Sequence, residues 1–193
     1  MIMKIRSRDE FKKAFLHLLK TKPISRITVS EIIRTSGYSR SSFYRNYVDY
    51  YDFIEKTVRE EAEILALQLS DLLKDYNVEK GLNEALLCGV MEHVYREKDL
   101  YHMIFNAQSF IPSVTAMNFS LLVMNCFRDA GTFKFDSGAG NVDEEFYRYS
   151  ETLRFVRYLL YWDANNYSFS PSYMAKQIVE MDHLDKAFAV LKL

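Results

Sequence analysis

Apolar residues along this chain recur at steps of three and four far more often than at steps of two, the signature of helix faces rather than strands. Phe11, Ala14, Phe15, Leu18 and Leu19 mark one such face. It predicts a first helix from about Arg8 to Thr21, opened by Ser7-Arg8-Asp9-Glu10 as a capping box, with Pro23 just past its end. Thr28-Val29-Ser30-Glu31 is a second capping box, and Val29, Ile32 and Ile33 follow it as an apolar face. Gly37 then stands where a left-handed turn residue belongs, so the second helix is only about two turns long. Ser39 caps a third helix, and Tyr38 before it is placed to staple onto Phe43. Phe43 and Tyr47, four apart, form that helix's inward side.

Beyond Asp49, a capping residue, Ile54, Val58, Ala62, Leu65, Leu69 and Leu72 continue at helical steps and predict one long helix to about Lys74. Further helices are expected at about 79–97, 98–107, 111–130, 143–165 and 171–191. Pro112 and Pro171 would sit at helix starts, where the missing N–H costs nothing, and Gly131, Gly138 and Gly140 mark the one long loop. The fold class expected is therefore all-α, a small N-terminal helical domain joined by a long helix to a C-terminal helical body.

Composition agrees. With 49% hydrophobic and 26% charged residues, and only three prolines and six glycines, the 193-residue chain has the apolar content for one or two packed domains and is not disordered. MIMKIRSRDEFKK lacks the apolar run of a signal peptide and no segment reaches 18 uninterrupted apolar residues, so a cytoplasmic protein without a membrane partner is expected. Cys88 and Cys126 lack metal or redox spacing and read as buried thiols outside any disulfide.

Charge changes the picture. The net charge of −1 conceals eleven Lys/Arg against four Asp/Glu in residues 1–50, a balance of +7 that leaves −8 for the rest. Concentrated positive potential at one end suits a polyanion, although charge alone is equally a solvated face. The stretch SGYSRSSFYRNYVDYYDFIE shifts the balance, since it sets serines and arginines among aromatic rings. With Phe43 and Tyr47 turned inward, the opposite face of the third helix presents Arg40, Ser41 and Ser42 near its start and Arg45 further along. That is the layout of a helix-turn-helix, whose second helix enters the major groove of duplex DNA. Arg40 could read a guanine through paired donors, Ser41 and Ser42 are short enough to let the backbone approach, and Thr28 with the free amides beside it can meet a phosphate. Arg40 and Arg45 as mere solvated residues is the competing reading.

ITVSEIIRTSGYSRSSFYRNY followed by VDYYDFIEKTV resembles the TetR family of bacterial transcriptional regulators, over about 50 residues. VMEHVYREKDLYHMIF and Trp162 are similar to the ligand-domain pattern of one TetR subgroup. The resemblance implies a helix-turn-helix domain over residues 1–50 and an effector-binding and dimerisation domain over 51–193. It implies a homodimeric regulator, by resemblance a repressor, bound to a near-palindromic double-stranded operator and responsive to a small-molecule effector. It also implies phosphate contacts from Tyr44 and Asn46. Where the family commonly carries lysine, Tyr50 stands, whose phenol can still donate. The candidate DNA-binding set is thus Thr28, Ser39, Arg40, Ser41, Ser42, Tyr44, Arg45, Asn46 and Tyr50.

In the body, Tyr95, Tyr101, Phe105, Phe119, Phe127, Tyr158 and Trp162 are candidates to line an effector pocket, and equally ordinary core. Phe146, Leu153, Val156 and Leu160 on the helix at 143–165, with Ile178, Met181 and Phe188 on the helix at 171–191, offer more apolar surface than one body needs. A second subunit would cover it, as in TetR-like dimers, unless both helices are wrapped inside a monomer. His93 and His102, nine apart, lack ligand spacing, and no catalytic or nucleotide-binding motif occurs, so no metal, cofactor or catalytic residue is expected. A ligand-independent DNA-binding scaffold that recruits a protein partner, and an all-α enzyme, are the alternatives.

Overall fold

The computed structural model describes residues 2–74, 81–129 and 143–190. Its α-helices are α1 (Ile2–Leu19), α2 (Val29–Ser36), α3 (Arg40–Asn46), α4 (Tyr50–Lys74), α5 (Glu84–Arg96), α6 (Lys98–Asn106), α7 (Ala116–Asp129), α8 (Glu144–Ala164) and α9 (Pro171–Val190). Single 3₁₀ turns occur at Ile24–Arg26 and Ala107–Ser109. The all-α class holds, and no helix among the described residues is long and apolar enough to cross a membrane.

Element ends differ from expectation where a local signal competes with a stronger one. The Ser7–Glu10 capping box does not form, because α1 begins at Ile2 and Ser7 lies within it, 4% exposed. Nothing in Ile2–Arg6 breaks a helix, so the chain continues through the capping residue. Asn83 caps α5 by accepting from the amides of Ala85 and Leu86 at 3.0 and 3.2 Å, which delays that helix from about 79 to Glu84. Helix α7 starts at Ala116 rather than at 111: the Ile111 and Val114 amides close tight turns onto Ala107 and Ile111, and Pro112 falls inside them. Asp49, Asp143 and Pro171 open α4, α8 and α9 as the sequence indicates. Gly131, Gly138 and Gly140 lie outside the described residues.

The chain forms two compact units, Met1–Glu61 with Asp99–Phe119, and Ala62–Lys98 with Ser120–Leu193. In the first, α1 packs on α2 and α3, and α2 on α3, around an aromatic nucleus. Phe43 is fully buried, its ring centroid 5.3 Å from Phe11, 5.1 Å from Tyr47 and 5.6 Å from Phe53. Phe11 meets Phe43 edge-on while the other two pairs are tilted, and aromatic pairs contribute about 0.5–1.5 kcal/mol each beyond burial of their area. Tyr38 rests edge-on against Phe11 at 5.6 Å.

In the second unit α5 packs against α9, with Leu87, Val90, Met91 and Val94 buried on one helix and Met174, Ala175, Ile178 and Val179 on the other. Trp162 of α8 is fully buried, stacked on Tyr95 at 5.8 Å, and its indole nitrogen donates to the Phe169 carbonyl at 3.1 Å. The Tyr167 amide returns to the Trp162 carbonyl at 2.9 Å, closing the turn before α9. Neither Cys88 nor Cys126 is in a disulfide, as expected, but each is half-buried rather than fully buried.

Candidate nucleic-acid interface

The site is assembled from the two short helices α2 and α3. At the start of α2 the Thr28 hydroxyl accepts from the Glu31 amide at 3.3 Å, while the Glu31 carboxylate accepts from the Thr28 amide at 3.0 Å and from its hydroxyl at 3.0 Å. Lys22 also bonds the Glu31 carboxylate, tying the segment before α2 to its cap. The Lys22 hydrogen bond first, and the Thr28 backbone and hydroxyl bonds after it, hold the Glu31 carboxyl down to about 2. Helix α2 ends at Gly37 with φ of +73°, in the left-handed region. A Cβ there would meet nothing within 4 Å, so backbone conformation alone asks for glycine.

The Ser39 hydroxyl caps α3 by accepting from the Ser42 amide at 3.2 Å, and it lies 2.9 and 3.0 Å from the Ser41 and Ser42 hydroxyls. Phe43 and Tyr47 are buried, as their spacing indicated, which leaves Arg40, Ser41, Tyr44 and Arg45 exposed on the other side. Arg40 reaches back to α2, its Nη2 donating to the Ser30 hydroxyl at 3.0 Å. Ser30 and Arg34, both exposed, are one turn apart on the side of α2 away from buried Ile32. Neither was in the candidate set. Their polar spacing four apart, opposite the apolar face, was the available signal.

Two candidates sit differently. The Asn46 side-chain nitrogen donates to the Ser7 hydroxyl at 3.1 Å and to the Ser42 carbonyl at 2.8 Å. The Tyr50 hydroxyl donates to the Ile24 carbonyl at 3.3 Å, and its ring lies against Tyr51 and Phe110. Burial, then the neighbouring Tyr51 and Glu31, push its phenol well above the ordinary value.

Charge is distributed unevenly over the basic segment. Arg8 pairs with Glu60, Lys12 lies 3.9 Å from both Glu60 and Glu61, Lys13 pairs with Glu10 at 2.8 Å, and Lys22 pairs with Glu31. Among the described residues Arg6, Lys20, Arg26, Arg34, Arg40 and Arg45 have no ion pair. Three of these belong to α2 and α3.

The other candidate sets divide. Tyr101, Phe105 and Phe119 are buried together in the first unit, with Tyr101 6.1 Å from Phe105 and 5.8 Å from Phe119. Tyr95, Tyr158 and Trp162 belong to the second, and the side chain of Phe127 lies outside the described residues. Of the expected dimer stripe, Phe146, Leu160 and Met181 are 65%, 36% and 40% exposed, and Leu153 is half-buried. Val156 and Ile178 are buried in the second unit, so the stripe read from spacing joins buried and exposed positions. The side chain of Phe188 is outside the described residues.

No protein-family model matches the sequence, and no curated protein matches it either. The three-dimensional structure does find counterparts. The crystal structure of the TetR family repressor AlkX from Dietzia sp. strain DQ12-45-1b, implicated in biodegradation of n-alkanes, matches with a TM-score of 0.54, covering 90% of this chain and 91% of that chain at 14% identity. This chain has a TetR-like fold. A TetR transcriptional regulator from Streptococcus agalactiae 2603V matches at a TM-score of 0.51 and 17% identity, covering 93% and 94% of the two chains. A Mesorhizobium loti protein assigned to the TetR-family transcriptional regulators matches at 0.54 and 15%, covering 92% and 95%. The TetR-like fold thus extends over nearly the whole chain, well past the 50 residues whose sequence carries the resemblance.

Proposed function

We propose that the chain is a DNA-binding transcriptional regulator, a repressor, that holds a near-palindromic duplex operator as a homodimer and is released by a small-molecule effector. Residues 1–50 form the reading domain and residues 51–193 the effector-binding and dimerisation domain. One observation carries the reading: in a TetR-like fold, α3 is anchored by buried Phe43 and Tyr47 and exposes Arg40, Ser41, Tyr44 and Arg45 on its opposite side. That is a helix built to be presented. The capped start of α2 with Thr28 lies in the same unit, and Arg34, Arg40 and Arg45 of α2 and α3 are among the described cations left without carboxylate partners. Exposed Phe146, Leu160 and Met181 support a second copy as partner, and a twofold dimer favours twofold DNA.

The test is in vitro selection of the purified chain on a random duplex pool, followed by titration of the enriched sequence. An inverted repeat with half-sites about one helical turn apart is expected. Failure to enrich any sequence at low salt sinks the proposal.

A further inference from the structure

We propose that Asn46 is a positioning residue that sets the angle of α3, and so the selectivity of the reader, and makes no phosphate contact. This rests on the reading of α3 as the DNA-reading helix. Asn46 is the last residue of α3. Its side-chain nitrogen carries two protons, and both are engaged inside the unit, one by Ser7 of α1 and one by the Ser42 carbonyl a turn back. Its Oδ1 is buried and has no hydrogen-bond partner among the described residues. An amide turned outward for a phosphate would leave the buried Ser7 without this donor. Instead the group faces inward and forgoes one acceptor bond to make the two that tie α3 to α1.

The backbone of the same residue is tied to α4. The Asn46 carbonyl accepts from Lys56 Nζ at 3.3 Å, an ammonium that Asp52 holds at 2.8 Å and that lies 5.6 Å over the Tyr47 ring. A cation at a helix C-terminus is favourable, and here it also fixes a direction. The end of α3 is therefore pinned to α1 through a side chain and to α4 through its main chain. Arg40 and Ser41 lie at the far end of this short lever, about 10 Å long. A small rotation at the pinned end moves them across a base edge. Paired donors to a base tolerate little misalignment, whereas phosphate contacts tolerate more and carry no sequence information.

The test starts from a random duplex pool, from which the unmutated chain selects a preferred sequence. Ser7→Ala, Asn46→Ala and the double variant are then titrated on that sequence and on the unselected pool at one salt concentration, with far-UV circular dichroism confirming their folding. Selectivity, the ratio of the two affinities, should fall about threefold to tenfold in each single variant and no further in the double, while pool affinity stays within about twofold. Ser7 is 4% exposed, too buried to meet DNA, so its effect on selectivity passes through its neighbours in the unit; non-additivity with Asn46→Ala assigns it to Asn46, and Asn46→Ser serves in the cycle if Asn46→Ala does not fold. An equal loss on both DNAs in Asn46→Ala makes it a phosphate contact and overturns the proposal. So do an unchanged selectivity in Ser7→Ala and fully additive single effects. A parent chain that selects no sequence overturns the DNA reading itself, and this proposal with it.

Discussion

The Arg40 guanidinium donates to the Ser30 hydroxyl across 3.0 Å, joining the first residue of α3 to the exposed face of α2. An arginine steadied in this way meets a base edge with less freedom to lose. Arg40→Ala should weaken binding to the selected duplex by about 1–3 kcal/mol and relax preference at one base position, as read by fluorescence anisotropy on single-base variants. Ser30→Ala should weaken it by about 1 kcal/mol or less. Equal weakening on every duplex would demote Arg40 to a backbone contact.

Tyr44 behaves otherwise. Its ring packs edge-on to Phe43 at 5.5 Å while nearly half of the residue is exposed, so the hydroxyl is presented on a fixed stem. Tyr44→Phe should lower affinity by about the same factor on specific and random DNA, because a phosphate carries no sequence. A loss confined to the selected sequence would contradict that role.

Salt sensitivity should follow the unpaired cations rather than the formal count. Affinity should fall steeply with rising salt, and Arg45→Gln should reduce the logarithmic slope by about 1 per subunit in contact. Lys13→Gln, whose ammonium is paired with Glu10, should leave the slope unchanged. A flat response in the unmutated chain would remove the DNA assignment.

Acid should loosen the α2 cap in a defined window. Glu31 has its carboxyl lowered from 4.5 to about 2, so it binds its proton more weakly folded than unfolded. The stability it contributes is complete above about pH 4.5 and is lost as pH falls through about 2. Thermal midpoints of the parent and of Glu31→Gln should therefore converge between these values and stay separated above them. Thr28→Ala should cost about 1 kcal/mol at neutral pH through loss of the same cap.

Assembly should depend on the exposed part of α8 and α9. Leu160→Glu or Met181→Glu should yield folded subunits whose dimer dissociation constant rises at least about tenfold, measured by sedimentation. Val156→Glu, at a site 2% exposed, should instead unfold the second unit. A parent chain that remains monomeric at micromolar concentration would defeat the dimer proposal.

Much of the first unit was legible because each signal there is local. The Thr28–Glu31 box, the left-handed Gly37, the Ser39 cap and the inward Phe43 and Tyr47 are each set by residues no more than four apart in the sequence. The Ser7 box had the same local form and failed, because a cap forms only where the preceding residues leave the helix. The direction taken by Asn46 depends on a serine 39 positions away, which no spacing rule connects to it. For α8 and α9, helical periodicity placed Val156 beside Leu160 and Ile178 beside Met181 on single stripes. Only packing against the rest of the unit separates the buried member of each pair from the exposed one.

Trp162 is the chain's one tryptophan, and it belongs wholly to the second unit. The aromatic nucleus of the first unit is made of phenylalanine and tyrosine. The molecule consequently carries a built-in optical label: indole emission, excited selectively at the red edge of aromatic absorption, reports on the second unit alone, while far-UV dichroism reports on the helices of both units. Heating or denaturant can thus be followed in two colours without attaching a dye. Whether the two signals change together or in sequence measures directly how cooperatively the halves of the protein melt.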